Sequence, residues 1–149
     1  MNQKRIEPVY SEWVLPKWTS FLPVLGIFPT LWLTFVPIND VLGTWLGISL
    51  TFVVVALKIA KSPRIRVTAD QLEVANAKIE RKFIRGAQAI GPDGVFAARG
   101  RDLDSRAWIY FQGSVDSLLR VELADPNDPT PYWLFSTRKP EVLKKALGL

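Results

Sequence analysis

Two long apolar runs, followed by short segments of alternating apolar and polar positions, divide the chain. Residues 18–39, WTSFLPVLGIFPTLWLTFVPIN, carry no charged side chain, and neither do residues 41–57, VLGTWLGISLTFVVVAL. At about 1.5 Å rise per residue they cover roughly 33 Å and roughly 26 Å as helices, against a bilayer core of about 30 Å. The pattern predicts transmembrane helices at about 18–38 and 42–60, joined by the turn Pro37-Ile38-Asn39-Asp40. The second span is short, and snorkelling by Lys58 and Lys61 would admit Ile59 and Ala60 to the apolar layer. Pro23 and Pro29 each remove a hydrogen bond from the first span, which places a kink near Pro29. Gly43 and Gly47 form a GxxxG pair in the second. They permit close contact, either between the two hairpin helices or with another copy, and the first is the simpler use. A cleaved signal peptide would have a shorter apolar region and a small-residue cleavage site; this run begins after residue 17 and leads into a second.

Beyond Lys61-Ser62-Pro63 the period changes to two. RIRVT puts Ile65 and Val67 on one face, and QLEV does the same for Leu72 and Val74, with Ala69-Asp70 as a tight turn. KIERKFI, residues 87–90, AWIYF, LLRVELA and PYWLFST read as further strands. Pro92-Asp93-Gly94 reads as a break, with one helical turn in VFAARG. A last helix opens at Pro140, bears Leu143, Ala146 and Leu147 on one side, and stops at Gly148. The expected organisation is a cytoplasmic segment over 1–17, a transmembrane hairpin over 18–60 and a cytoplasmic domain over 62–149. The fold class is α+β: six or seven short antiparallel strands in a small β-roll or barrel, closed by the C-terminal helix.

Charge sharpens the topology. The leading segment holds Lys4, Arg5 and Lys17 against Glu7 and Glu12, the apolar stretch holds only Asp40, and the net charge of +5 sits after residue 57. Basic residues flank the hairpin and are missing from its turn, so both termini are expected in the cytoplasm, with the protein in the plasma membrane. The basic balance therefore needs no nucleic-acid partner. Lys58, Lys61, Arg64 and Arg66 are candidate contacts for anionic lipid headgroups, beyond their simpler role of setting topology. A second group, Lys78, Arg81, Lys82 and Arg85, is split across two faces by strand alternation and reads as a charged edge.

Chemistry is sparse. With no Cys and no His, the usual zinc ligands, the thiolate nucleophile and the commonest general base are missing. Asp102 and Asp104 in GRDLDSR could be paired carboxylates or part of a metal site, but a soluble loop beside Gly100 explains them more simply. No enzyme activity, metal or cofactor is expected, and the spans hold no ionisable residue for an ion path.

The stretch DPNDPTPYWLFSTRKPEVLKKAL, residues 125–147, together with RIRVT and QLEV, resembles an uncharacterised family of small actinobacterial two-helix membrane proteins. More loosely, the soluble part is similar to bacterial pleckstrin-homology-like domains, through its paired strands and ST-x-x-P-E-x-L before a terminal helix. Neither resemblance supplies catalytic residues. Within the motif, Asp125, Pro126, Asp128, Pro129 and Pro131 are turn chemistry, while Tyr132, Trp133, Ser136 and Thr137 belong to a core strand. The alternative is an exposed binding face around Tyr132 and Arg138. The function expected is a membrane-anchored interaction module that presents its β-domain to a protein or to anionic headgroups. The second reading is an accessory subunit of a larger membrane complex, docked through the hairpin, and homo-oligomers remain compatible with both.

Overall fold

The computed structural model describes residues 8–149. Lys4 and Arg5, which enter the charge argument above, lie outside the described residues. The chain forms two compact units: the residues up to Val14 together with Pro63–Leu149, and Leu15–Ser62.

The β-rich unit begins before the apolar runs. Strand β1 (Tyr10–Trp13) pairs antiparallel with β2 (Arg64–Val67), Trp13 opposite Arg64 and Tyr10 opposite Val67. The segment before the helices is thus a strand of the domain that follows them. YSEW is too short and too polar to announce this on its own. β3 (Gln71–Val74) and β4 (Ala77–Glu80) complete a four-stranded antiparallel sheet in chain order. Its alternation is clean: Val14, Ile65, Val67, Leu72, Val74 and Ile79 are buried. Where one long strand was expected in KIERKFI, a 3₁₀ turn at Arg81–Phe83 ends β4 and leads to β5 (Ile84–Ile90).

The second sheet has the order β5-β7-β8-β6, from β6 (Trp108–Tyr110), β7 (Leu118–Leu123) and β8 (Tyr132–Ser136). β6 runs parallel to β8, which departs from the all-antiparallel expectation. Two separate four-stranded sheets stand where a roll or closed barrel was expected. A parallel neighbour suits a strand covered on both faces, and every residue of β8 is buried. Trp133 and Phe135 enter a core shared with the first sheet, β7 and Leu143. Tyr132 and Leu134 face the other way, into a second cluster under helix α4 (Pro92–Arg99). Pro92 therefore opens a helix of two turns rather than breaking the chain, as its fixed φ and missing N–H allow at a first position. Helix α5 (Pro140–Ala146) closes the main core with Leu143 and Leu147, and Gly148 at φ 77° ends it.

In the helical unit the first run is interrupted. A 3₁₀ turn (Trp18–Phe21) leads to α1 (Leu22–Leu25), and α2 (Ile27–Phe35) follows after a break at Gly26. Pro29 has no N–H to offer the Leu25 carbonyl, so the α-helical ladder fails there. Helix α3 (Asp40–Ala60) starts earlier than the hydropathy suggested, because the Asn39 side chain accepts from the Leu42 N–H at 3.0 Å. Gly43 and Gly47 are buried against α2. A Cβ at Gly43 would stand 2.9 Å from Phe35 Cβ, and one at Gly47 would stand 2.9 Å from the Phe28 ring. Trp18–Phe35 and Asp40–Ala60 are long and apolar enough to cross a membrane, and only 6% and 11% of their apolar windows is buried. That share is far below that of core helices in a soluble domain.

Gly47→Leu should force α2 and α3 apart and cost about 1–3 kcal/mol by overpacking. Thermal unfolding of the detergent-solubilised chain measures it. An unchanged midpoint would show that the close approach is dispensable.

Candidate functional site

The motif strand and the strand before the helices meet at one carboxylate. Glu12 lies on the inward face of β1, opposite Ile65. Its Oε2 accepts from Thr137 Oγ1 at 2.6 Å and from the Tyr10 hydroxyl at 2.8 Å, while Oε1 accepts from the Arg138 backbone N–H at 2.9 Å. Burial, then the hydrogen bond to Glu12, pushes the Tyr10 phenol well above its ordinary pKa. Ser136 and Thr137 are both buried. Ser136 Oγ accepts from the Gln112 N–H at 3.0 Å and from Arg99 Nη2 at 3.3 Å. Ser117 Oγ donates to the Thr137 carbonyl at 2.6 Å. These hydroxyls thus tie β1, α4 and the approach to β7 onto the end of β8. Hydroxyls suit the task because each donates one bond and accepts others in little space.

The rest of the motif divides as the turn chemistry implies. Asp125 and Asp128 accept from the N–H groups of Asn127 and Thr130, each at 2.9 Å. The hydrogen bonds from Thr130 hold the Asp128 carboxyl below its usual range. Pro126 and Pro129 lie within this loop, and the Pro131 carbonyl accepts from Leu123 N–H at 3.0 Å. Trp133 stands 4.6 Å from Trp108, ring centre to ring centre, across the parallel pair. Tyr132 is only 4% exposed, so the exposed binding face around it is not there. Its hydroxyl instead accepts from the Asp104 N–H at 2.7 Å.

The basic residues are dispersed. Lys58 and Lys61 belong to the helical unit; Arg64 and Arg66 belong to the outer face of β2. Lys58 Nζ donates to the Ser20 carbonyl at 2.7 Å, and Lys61 caps the end of α3. The Arg64 guanidinium lies 5.0 Å from the Trp13 ring centre, two positions from exposed Arg66. In the second group, Lys78 pairs with Glu73 and Lys82 with Glu80. Arg81 turns to the Leu147 carbonyl at 2.7 Å, where a cation complements a helix C-terminus. Asp102 and Asp104 each meet a neighbouring arginine, at 3.0 Å from Arg101 and 2.9 Å from Arg106. The Arg106 side chain holds the Asp104 carboxyl down to about 2. Among the described residues no group of three or more metal-ligating side chains occurs.

Sequence reasoning passed over Glu12, Arg99 and Arg120. Arg120 stands on the outer face of β7, with its guanidinium 4.0 Å from the Tyr132 ring centre, and it lines a cavity of about 210 Å³ beside α4. No short motif holds these residues, because the sheets gather them from distant segments.

Glu12→Ala and Thr137→Val should each cost about 1.5–3 kcal/mol, the value of a hydrogen bond to a charged group. In a double-mutant cycle read by denaturant unfolding, the two losses should be strongly non-additive. Simple additivity would mean the bond contributes nothing.

Comparison with curated proteins gives no match, and neither does comparison with solved structures. One family model covers residues 9–147, from β1 through the helices to the end of α5, so a single family description takes in both units. The chain belongs to that family, described as "Protein of unknown function (DUF3093)".

Proposed function

We propose that the chain is a non-enzymatic, membrane-anchored interaction module, with the hairpin over residues 18–60 spanning the plasma membrane and the β-rich unit displayed at its cytoplasmic face. The observation that carries this reading is the insertion of the helices between two paired strands. The chain leaves the sheet after Trp13 and returns at Arg64, directly opposite, with Val14 N–H donating to the Pro63 carbonyl at 3.0 Å. A segment that departs and returns at one point can cross a bilayer only an even number of times. Two spans then put the whole β-unit on one side. The uncovered apolar surface of the hairpin, with Trp18, Leu25, Trp45 and Phe52 exposed, supports immersion in lipid. Lys17, Lys58 and Lys61 flank it, and the turn at 37–40 has no basic residue, which favours the cytoplasm for the β-unit.

Two sheets with a C-terminal helix over the shared core also support kinship with pleckstrin-homology-like interaction domains, although the parallel β6–β8 pair departs from an antiparallel roll. Arg64 and Arg66 project from the outer face of the first sheet beside Trp13, an arrangement suited to anionic headgroups. The accessory-subunit reading loses its simplest docking surface, since α2 already fills the space at Gly43 and Gly47.

A periplasmic reporter should be active when fused at residues 38–40 and silent at the C-terminus; the reverse pattern would overturn the orientation. The detergent-solubilised chain should bind short-chain phosphatidylglycerol in a salt-sensitive manner. Alanine at Lys58, Lys61, Arg64 and Arg66 together should weaken this by about 1 kcal/mol per residue removed. Undiminished binding would exclude these four as the headgroup contacts.

A further inference from the structure

Arg120 is placed as a binding residue is placed: its charge stacks on Tyr132 and is felt by the Asp104 carboxylate, yet among the described residues no acceptor takes a hydrogen bond from it. It is half-buried, its Nε is shielded from solvent, and that Nε has no hydrogen-bond partner. Among the described residues no carboxylate forms an ion pair with it. Arg99 shares the unpartnered Nε and also stacks on a ring, that of Phe111, but its Nη2 is spent on the Val115 carbonyl and Ser136, and Arg81 donates to three carbonyls; the difference lies in the Nη donors. Stacking on Tyr132 fixes the plane of the Arg120 guanidinium while leaving its edge donors unspent. Tyr132 is itself held, because its hydroxyl is engaged by the Asp104 N–H.

The cavity beside this guanidinium has about 210 Å³, room for a small organic molecule. Its floor is the outer face of the second sheet, where Gln88 of β5 is the register partner of Arg120 and Ile90 and Leu134 provide apolar surface. Its wall is α4, which presents only Gly94, Ala97 and Ala98 and so leaves the space unfilled. Asp102 also lines the cavity, and its negative charge works against any anion and about twice as strongly against a dianion as against a monoanion. The combination favours a monoanion with a compact apolar body: fixed planar donors at one end, aliphatic surface around the rest. A guanidinium edge matches a carboxylate in two-point geometry.

We propose that this cavity binds a small monocarboxylate, anchored by Arg120, either as a free organic acid or as the C-terminal carboxylate of a peptide. The assignment is independent of the membrane reading, because every residue it uses lies in the β-rich unit.

The test is calorimetric titration of the full detergent-solubilised chain with benzoate, with acetyl-Ala-Ala-Leu carrying a free C-terminus, and with inorganic phosphate. One of the two carboxylates should bind saturably at one site. Arg120→Met should weaken it by about tenfold to a hundredfold, as expected for losing charge-assisted hydrogen bonds. Ala97→Met, which fills the cavity from the helix side, should weaken it as well, while Lys78→Gln on the other sheet should not. Thermal unfolding without ligand provides a separate readout. Arg120→Met should keep or raise the melting temperature, since it removes a half-buried guanidinium whose Nε has no acceptor while methionine keeps contact with the Tyr132 ring; a structural arginine would lower it. Preference for the peptide over its C-terminal amide identifies a polypeptide terminus as the source, and preference for benzoate identifies a free acid. No saturable carboxylate binding, tighter binding of phosphate, or binding indifferent to Arg120→Met would each overturn the proposal.

Discussion

The pairing of Tyr10–Trp13 with Arg64–Val67 is the constraint on which the rest depends. It makes the strand before the apolar helices and the strand after them neighbours in one sheet, so everything between is a closed excursion. The short strand has little apolar area to hold it, and only Val14 at its end is fully buried. Glu12 supplies what area cannot. Its two oxygens receive three donors, from Tyr10, Thr137 and Arg138, and so lock the first strand to the last. Hydrogen bonds to a charged acceptor are the strong ones, and those from Thr137 and Arg138 span almost the full length of the chain.

The second sheet is organised by the opposite device, burial on both faces. β8 sends Trp133 and Phe135 into the main core and Tyr132 and Leu134 under α4. Such a strand tolerates no free polar group, and its terminal hydroxyls are accordingly consumed by backbone and arginine donors. Arg99 is drawn into this network and helps to seat α4. Because α4 offers small residues toward the sheet, it packs closely at Val95 and at Gly94, where a Cβ would stand 2.9 Å from Ile90 Cγ2, and leaves space at Ala97. The same helix thus covers the strand and leaves a cavity beside it. A fully packed interface there would have had no place for Arg120.

The helical unit turns its apolar surface outwards, and its two apolar stretches are long enough to cross a membrane. Its glycines let α2 and α3 approach to contact distance, its asparagine caps the second helix at the turn, and its apolar side chains face outwards. Lys58 spends one bond on the Ser20 carbonyl within the same unit. Outward aromatics and inward glycines are the inverse of a soluble helical pair, in which burial of large side chains drives association.

The two apolar helices, the alternating faces of β2 and β3, the dense turn at 125–131 and the C-terminal helix with its glycine stop were all legible in the sequence. Each rests on local chemistry: uninterrupted hydropathy, period-two alternation, Asx and proline turns, a left-handed glycine. What only the tertiary structure decided depends on contacts between distant segments. YSEW becomes a strand because β2 stands beside it and Thr137 receives its carboxylate; four residues alone hold no such information. The parallel direction of β6 follows from where β8 lies, not from WIY. Arg81, Arg99 and Arg120 look alike in sequence, and their surroundings made one a helix cap, one a strut and one a guanidinium stacked on Tyr132 beside a cavity. Charge can be counted along a chain, but whether it has a partner is decided only when the sheets bring the neighbours in.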